Sequence, residues 1–297
     1  MQTTDVKPLI PYGWLRAFLL FAFFLFVNIF LNWFTYTMLN LLQKAQTGRD
    51  QSFEKMIADN LWMTVSLQFL AALISISIFR IYIDRQSVFS LGFAWKGFAQ
   101  HAYVGLFASF AMLGIGSTIL MLLGHLQFLD VEIDPSSIAL NLAIMLIVAF
   151  SEEMIVRGYM LHNLMKSFDK YLALCISAVV FALLHLGNPN IGIIPVVEIF
   201  IGGIMLGINY IYTKNLWFGI FLHFGWNFLQ GPILGYQVSG IALQPLLQQN
   251  LQGPETLTGG AFGFEGSILA IFLNLTLIGL LVFIYEKRKG AAELITS

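Results

Sequence analysis

Eight long apolar stretches restrict the fold of this chain more than any other feature. They are Trp14–Leu42, Leu61–Ile83, His101–Leu123, Ser137–Met165, Tyr171–Leu186, Ile193–Tyr212, Leu216–Leu234 and Ser267–Tyr285. A helix needs about 20 apolar residues to cross the hydrocarbon core of a bilayer. The strands of a membrane β-barrel would instead alternate between apolar and polar residues. We therefore predict an all-α fold, a polytopic transmembrane helical bundle of about eight spans.

The composition supports a membrane location. Hydrophobic residues make up 58% of the chain and charged residues only 10%, with a mean hydropathy of +0.79, whereas soluble domains are about 25% charged. The first stretch is longer than the core of a signal peptide, so we expect it to be retained. We expect residues 1–297 to form a single integral membrane domain with the lipid bilayer as its partner. The net charge of −1 gives no reason to expect nucleic acid.

The loops predict an orientation. Lys and Arg are enriched in cytoplasmic loops, and with eight spans most of them lie on the side of the N-terminus. Lys44, Arg49 and Lys55 in the first loop are the exceptions. We therefore expect a multi-pass plasma-membrane protein with both termini in the cytoplasm. We expect the segment Gly235–Gly266 to be a flexible external loop.

Three of the predicted helices carry ionisable or amide side chains. An ionisable group at membrane depth costs at least about 2.5–3.5 kcal/mol and is functional by default. The fourth stretch has Glu152, Glu153 and Arg157, the fifth has His185, and the seventh has His223 and Asn227. At 1.5 Å of rise per residue, these groups can meet in the inner half of the bilayer.

Helix geometry separates the two glutamates. Glu153 and Arg157 are four residues apart, so they share a helix face and can pair. Glu152 points about 100° away and is free to face a cavity as a general base. His223 and Asn227 are also four residues apart and can face the same cavity.

Each motif also has a structural interpretation. The charged motif could be a solvated cluster at a helix end. His185 could be a polar residue between helices. His223 and Asn227 could form a hydrogen-bonding contact between helices. Glu198, near the end of the sixth helix, is interpreted as structural. His101, His125 and His162 are expected to lie at the membrane interface. The co-occurrence of three motifs on three apolar helices favours a functional site.

These motifs resemble those of the CPBP family, the CAAX-processing and bacteriocin-processing (Abi-type) intramembrane endopeptidases. That family shows Glu-Glu-x-x-x-Arg, then Phe-x-x-x-His, then His-x-x-x-Asn or Asp, and all three occur here in this order within 140–228. The segment Gly259–Ser267 is similar to one that precedes the last helix in many bacterial members.

The resemblance implies an enzyme, an intramembrane endopeptidase that acts on peptide or protein substrates with or without a lipid modification. It implies that Glu152 activates the attacking water with help from His185. It also implies that His223 and Asn227 stabilise the oxyanion, and that Glu153 and Arg157 orient the site. The segment 140–228 would be the catalytic core. Amide hydrolysis needs such a base and such donors.

Two chemical alternatives stay open at the level of the sequence. Ser151 and Ser177 are candidate nucleophiles only by their proximity in sequence, and Cys175 is about 15 Å along the helix from His185. Glu152, His185 and His223 could bind a catalytic zinc ion through two histidines and one glutamate. We favour a mechanism that requires no cofactor.

Two other functions are compatible with the sequence. The chain could be a non-catalytic membrane immunity or interaction protein. It could also be an ion- or proton-coupled transporter, although no internal repeat supports that function.

Overall fold

The computed structural model describes residues 7–48, 52, 55–56 and 59–296. Arg49, which entered the orientation argument, and the C-terminal Ser297 lie outside these residues. Within them, eight helices coincide with the eight apolar stretches. They are α1 Gly13–Thr47, α2 Leu61–Ile78, α3 Ala99–Leu122, α4 Pro135–Glu153, α5 Lys170–Leu184, α6 Ile193–Thr213, α7 Trp217–Phe228 and α8 Ile268–Thr296.

Three of these helices continue directly into π-helical segments. The segment Phe79–Ile83 follows α2, Met154–Leu161 follows α4, and Leu229–Ile233 follows α7. With these extensions, six of the described helices are long and apolar enough to cross a membrane. The 15 residues of α5 and the 12 of α7 make shorter helices. The helical-bundle prediction is confirmed, and the span number of eight is approximate.

Local sequence explains where α4 begins. Asp134 accepts hydrogen bonds from the backbone N–H of Ser136 and Ser137, and Pro135 occupies the first turn, where a missing N–H costs nothing. Hydrogen bonds from Ser136 and Ser137 lower the pKa of the Asp134 carboxyl to about 2. The cap therefore keeps its charge throughout the physiological pH range.

Helix α7 lies inside the bundle and packs against α3, α4 and α6. Gly105 of α3 permits the closest of these approaches, because a Cβ at this position would lie 2.4 Å from the carbonyl oxygen of Phe218. The buried face of α7 includes His223 and Asn227. The packing therefore directs both predicted site residues into the protein.

The segment 235–266 is packed against the bundle, which differs from the flexible loop that we expected. Its strand β2, Leu247–Leu251, pairs antiparallel with β1, Leu126–Val131. Phe262 and Phe264 are buried. These aromatic side chains anchor the Gly-rich segment in the core. The Gly, Gln and Pro content of the segment had instead favoured a flexible loop.

The opposite end of the bundle holds a buried ionic cluster. Asp84 pairs with Arg16 (Nη1–Oδ1 2.6 Å) and with Arg80 (Nη1–Oδ2 2.8 Å). All three side chains are almost completely buried. The cluster ties the start of α1 to the segment that follows α2.

Candidate active site

The two glutamates lie where α4 changes into a π-helical segment. Glu152 and Glu153 are the last residues of the α-helix, and the π-helical segment begins at Met154. Such segments are rare and occur frequently at functional sites. Glu153 is fully buried, whereas Glu152 is partly exposed.

The predicted pair between Glu153 and Arg157 is present. Arg157 Nη1 lies 2.7 Å from Glu153 Oε1, and Nη2 donates to the carbonyl oxygen of Gly203 at 2.9 Å. The guanidinium also lies 4.3 Å from the centre of the Phe181 ring. A Cβ at Gly219 would lie 2.9 Å from Glu153 Oε2, so a glycine there lets α7 approach the pair.

His223 contacts both glutamates. Its Nδ1 lies 3.1 Å from Glu153 Oε1, and its Nε2 lies 3.9 Å from Glu152 Oε2. Glu153 Oε1 therefore contacts Arg157 and His223 together. The sequence predicted the contact with Arg157 but not the contact with His223, which joins the first and third motifs.

Gln68 of α2 supports Glu152 and was missed by the sequence analysis. Its Nε2 donates to Glu152 Oε1 and to Ser151 Oγ, both at 3.4 Å. An amide in an otherwise apolar stretch was the signal that could have identified it. Glu152 Oε2 has no hydrogen-bond partner among the described residues. Gln68 thus holds Oε1 of Glu152, while Oε2 is free to accept a proton.

His185 follows the last residue of α5. Its Nδ1 lies 2.7 Å from the carbonyl oxygen of Phe181. Because a carbonyl oxygen only accepts hydrogen bonds, Nδ1 carries the proton and Nε2 of the neutral ring is an acceptor. The Phe181 ring packs against both histidines, with its centre 4.7 Å from that of His185 and 6.1 Å from that of His223. The Phe-x-x-x-His motif therefore fixes the tautomer of His185 and supplies an aromatic ring that contacts both imidazoles.

One cavity of about 490 Å³ joins all four proposed catalytic residues. Glu152, His185, His223 and Asn227 line it, while most of its wall is apolar. Volumes of this size accommodate small-molecule ligands and short segments of chain. Glu198, which we interpreted as structural, also lines this cavity.

The alternative nucleophiles are poorly placed. Ser151 Oγ donates to the carbonyl oxygen of Val148, and Ser177 Oγ donates to that of Leu174. Cys175 is exposed on the outside of the bundle. Neither Ser177 nor Cys175 lines the cavity. Ser151 lines the cavity, but its hydroxyl is hydrogen-bonded to a carbonyl oxygen of its own helix.

The candidate zinc ligands do not form a compact set. Among the residues that the structure describes, no three His, Cys, Asp or Glu side chains come close enough to hold a metal ion. Glu152, His185 and His223 share the cavity without meeting this condition, and Nδ1 of each histidine contacts Phe181 or Glu153. The geometry therefore does not fit a three-residue zinc site.

Residues 134–229 match the family model of type II CAAX prenyl endopeptidases, described as Rce1-like. The chain carries an Rce1-like segment. The match includes all three motifs, and it confirms the family resemblance predicted from them. It supports a CAAX-protease-like intramembrane endopeptidase at the level of the family. No curated protein and no solved structure matches the chain.

Proposed function

We propose that this protein is an intramembrane endopeptidase in which Glu152 activates a water molecule. The observation that carries the proposal is the position of Glu152 beside His223 in a cavity that also contains His185 and Asn227. The match of 134–229 to a peptidase family supports the same reaction class.

The proposed mechanism assigns one role to each group in the cavity. A water molecule held by Glu152 Oε2 and His185 Nε2 loses a proton to Glu152 as its oxygen attacks the peptide carbonyl. The amide of Asn227 donates to the developing oxyanion, as does Nε2 of His223 in its protonated form. The C–N bond then breaks, and Glu152 returns the proton to the departing amine.

Glu153 and Arg157 are positioning residues in this mechanism. Glu153 holds His223 through Nδ1 while Arg157 neutralises Glu153. Because Arg157 neutralises the second carboxylate, Glu152 can be ionised without an adjacent uncompensated charge.

We propose that the reaction requires no metal. Metal analysis of purified, active protein should give far less than one zinc per chain, and a chelator should leave the rate unchanged. One tightly bound zinc per chain, with activity lost on its removal, would contradict the mechanism.

We also propose a plasma-membrane location with both termini cytoplasmic. Arg16, Arg80 and the other cations near them lie at one end of the bundle, in agreement with the positive-inside rule. In a Cys175→Ser background, we expect Glu132→Cys to react with a membrane-impermeant maleimide in intact cells. Lys287→Cys should react only after permeabilisation. The reverse pattern would overturn the orientation.

A comparison of peptide termini tests the function. Membranes that contain the wild-type protein should accumulate new peptide termini that are missing with Glu152→Gln at equal expression. Substrates with and without lipid modification would be identified in the same experiment. Identical termini from both membranes would instead favour a non-catalytic immunity or interaction protein or a transporter, the two functions that need no hydrolysis.

A further inference from the structure

A second pair of buried carboxylates lines the catalytic cavity. Glu198 lies on α6 and is 4% exposed, and Glu265 lies in the turn before α8 and is 7% exposed. The two come from segments far apart in sequence, and the turn that contains Glu265 packs against α6. Neither residue belongs to the three motifs.

The partners of these carboxylates are all neutral. Glu198 Oε1 accepts a hydrogen bond from Asn274 Nδ2 at 2.6 Å. Glu265 Oε1 accepts from Ser239 Oγ at 2.7 Å and from the backbone N–H of the same serine. No ion pair in the described part of the chain involves Glu198 or Glu265.

Two other buried carboxylates of this protein form ion pairs with arginine. Glu153 is paired with Arg157, and Asp84 is paired with two arginines. A buried carboxylate without a cation is costly because its charge is removed from water without compensation. The pair Glu198–Glu265 is therefore an exception within the same structure.

An amide oxygen beside Glu198 lacks a hydrogen-bond partner within the described structure. Asn274 lines the cavity and its side chain is fully buried, but its Oδ1 accepts no hydrogen bond from any described residue. When the two carboxylates are ionised, they and this amide oxygen offer only hydrogen-bond acceptors. A guanidinium or ammonium group supplies only donors and a positive charge.

We propose that Glu198, Glu265 and Asn274 form a subsite that binds a basic side chain, Lys or Arg, of an otherwise apolar substrate. The inference rests on the proposed function for the class of ligand. The three residues line the same cavity as His185 and His223, so the basic residue binds close to the reacting groups. The subsite selects substrates, while the apolar wall of the cavity binds their other side chains.

Two matched peptides test the subsite by equilibrium binding to the purified protein. One is N-acetyl-Leu-Leu-Arg-Leu-amide, and the other has citrulline in place of arginine, which keeps the shape and removes the charge. We expect the wild-type protein to bind the arginine peptide about tenfold or more tightly. The double variant Glu198→Gln/Glu265→Gln should bind both equally. Glutamine retains the acceptor oxygens for Asn274 and Ser239, and each single variant should reduce the preference.

The control is Glu255→Gln, at an exposed glutamate of the same loop region, which should keep the full preference. Equal binding of both peptides by the wild-type protein would overturn the subsite, and so would a preference that persists in the folded double variant. Every protein in this comparison, including the one with the wild-type subsite, also carries Glu152→Gln, so that the peptides stay intact and no turnover is needed. The experiment therefore distinguishes a failure of the subsite proposal from a failure of the proposed peptidase function.

Discussion

Replacing Glu152 by Gln should lower the rate of peptide-bond hydrolysis by about 10²–10⁴-fold, the usual contribution of a general base. Gln keeps the size of the side chain and its contact with Gln68, but its amide cannot take a proton from water. Because Arg157 forms its ion pair with Glu153, the change leaves that buried pair intact, and the folded state should keep its stability. The rate should be measured with purified protein in detergent, on a peptide identified from the termini comparison.

The matched control is Glu132→Gln, at an exposed glutamate that accepts a hydrogen bond from Gln248 at 2.8 Å. This variant should hydrolyse the peptide at the wild-type rate. A Glu152→Gln protein that is folded and equally active would show that Glu152 is not the base, and the proposed mechanism would fail.

Replacing Arg157 by Met should destabilise the protein by about 3–5 kcal/mol, because it leaves a buried carboxylate without its partner. Met fills much of the volume but supplies neither the charge nor the hydrogen bond to Gly203. The free energy of unfolding in detergent micelles should report this loss.

A second variant separates the charge from the packing. In Glu153→Gln/Arg157→Met, the uncompensated charge is removed while an acceptor for His223 Nδ1 remains. We expect the double variant to be more stable than Arg157→Met alone. A double variant that is less stable than Arg157→Met would mean that the pair does not act by charge compensation.

The helices could be predicted from the sequence because each one is encoded locally. The eight apolar stretches correspond closely to α1–α8, and the i, i+4 spacing of Glu153 and Arg157 sufficed to predict their contact. Both predictions depend only on length, composition and the geometry of a single helix. The two helices that fall short of a full membrane span are α5 and α7.

Contacts between helices could not be predicted in the same way. The approach of His223 to Glu153 depends on how α7 rotates against α4, and the contact of Gln68 with Glu152 depends on the neighbouring position of α2. The hydrophobic pattern of the sequence specifies neither the rotation of α7 nor the position of α2. The burial of Glu265 could not be predicted for another reason. Its segment has the composition of a loop, and only the packing of that segment against the bundle buries the side chain.

The most direct test of the mechanism is a single turnover in water enriched in the heavy oxygen isotope. Direct attack by water predicts that the heavy isotope appears in the new carboxyl group of the cleaved peptide and not in the protein. The products and the digested protein are analysed by mass spectrometry. Heavy isotope in the side chain of Glu152 would instead indicate that its carboxylate forms a covalent intermediate with the substrate, and would contradict the account.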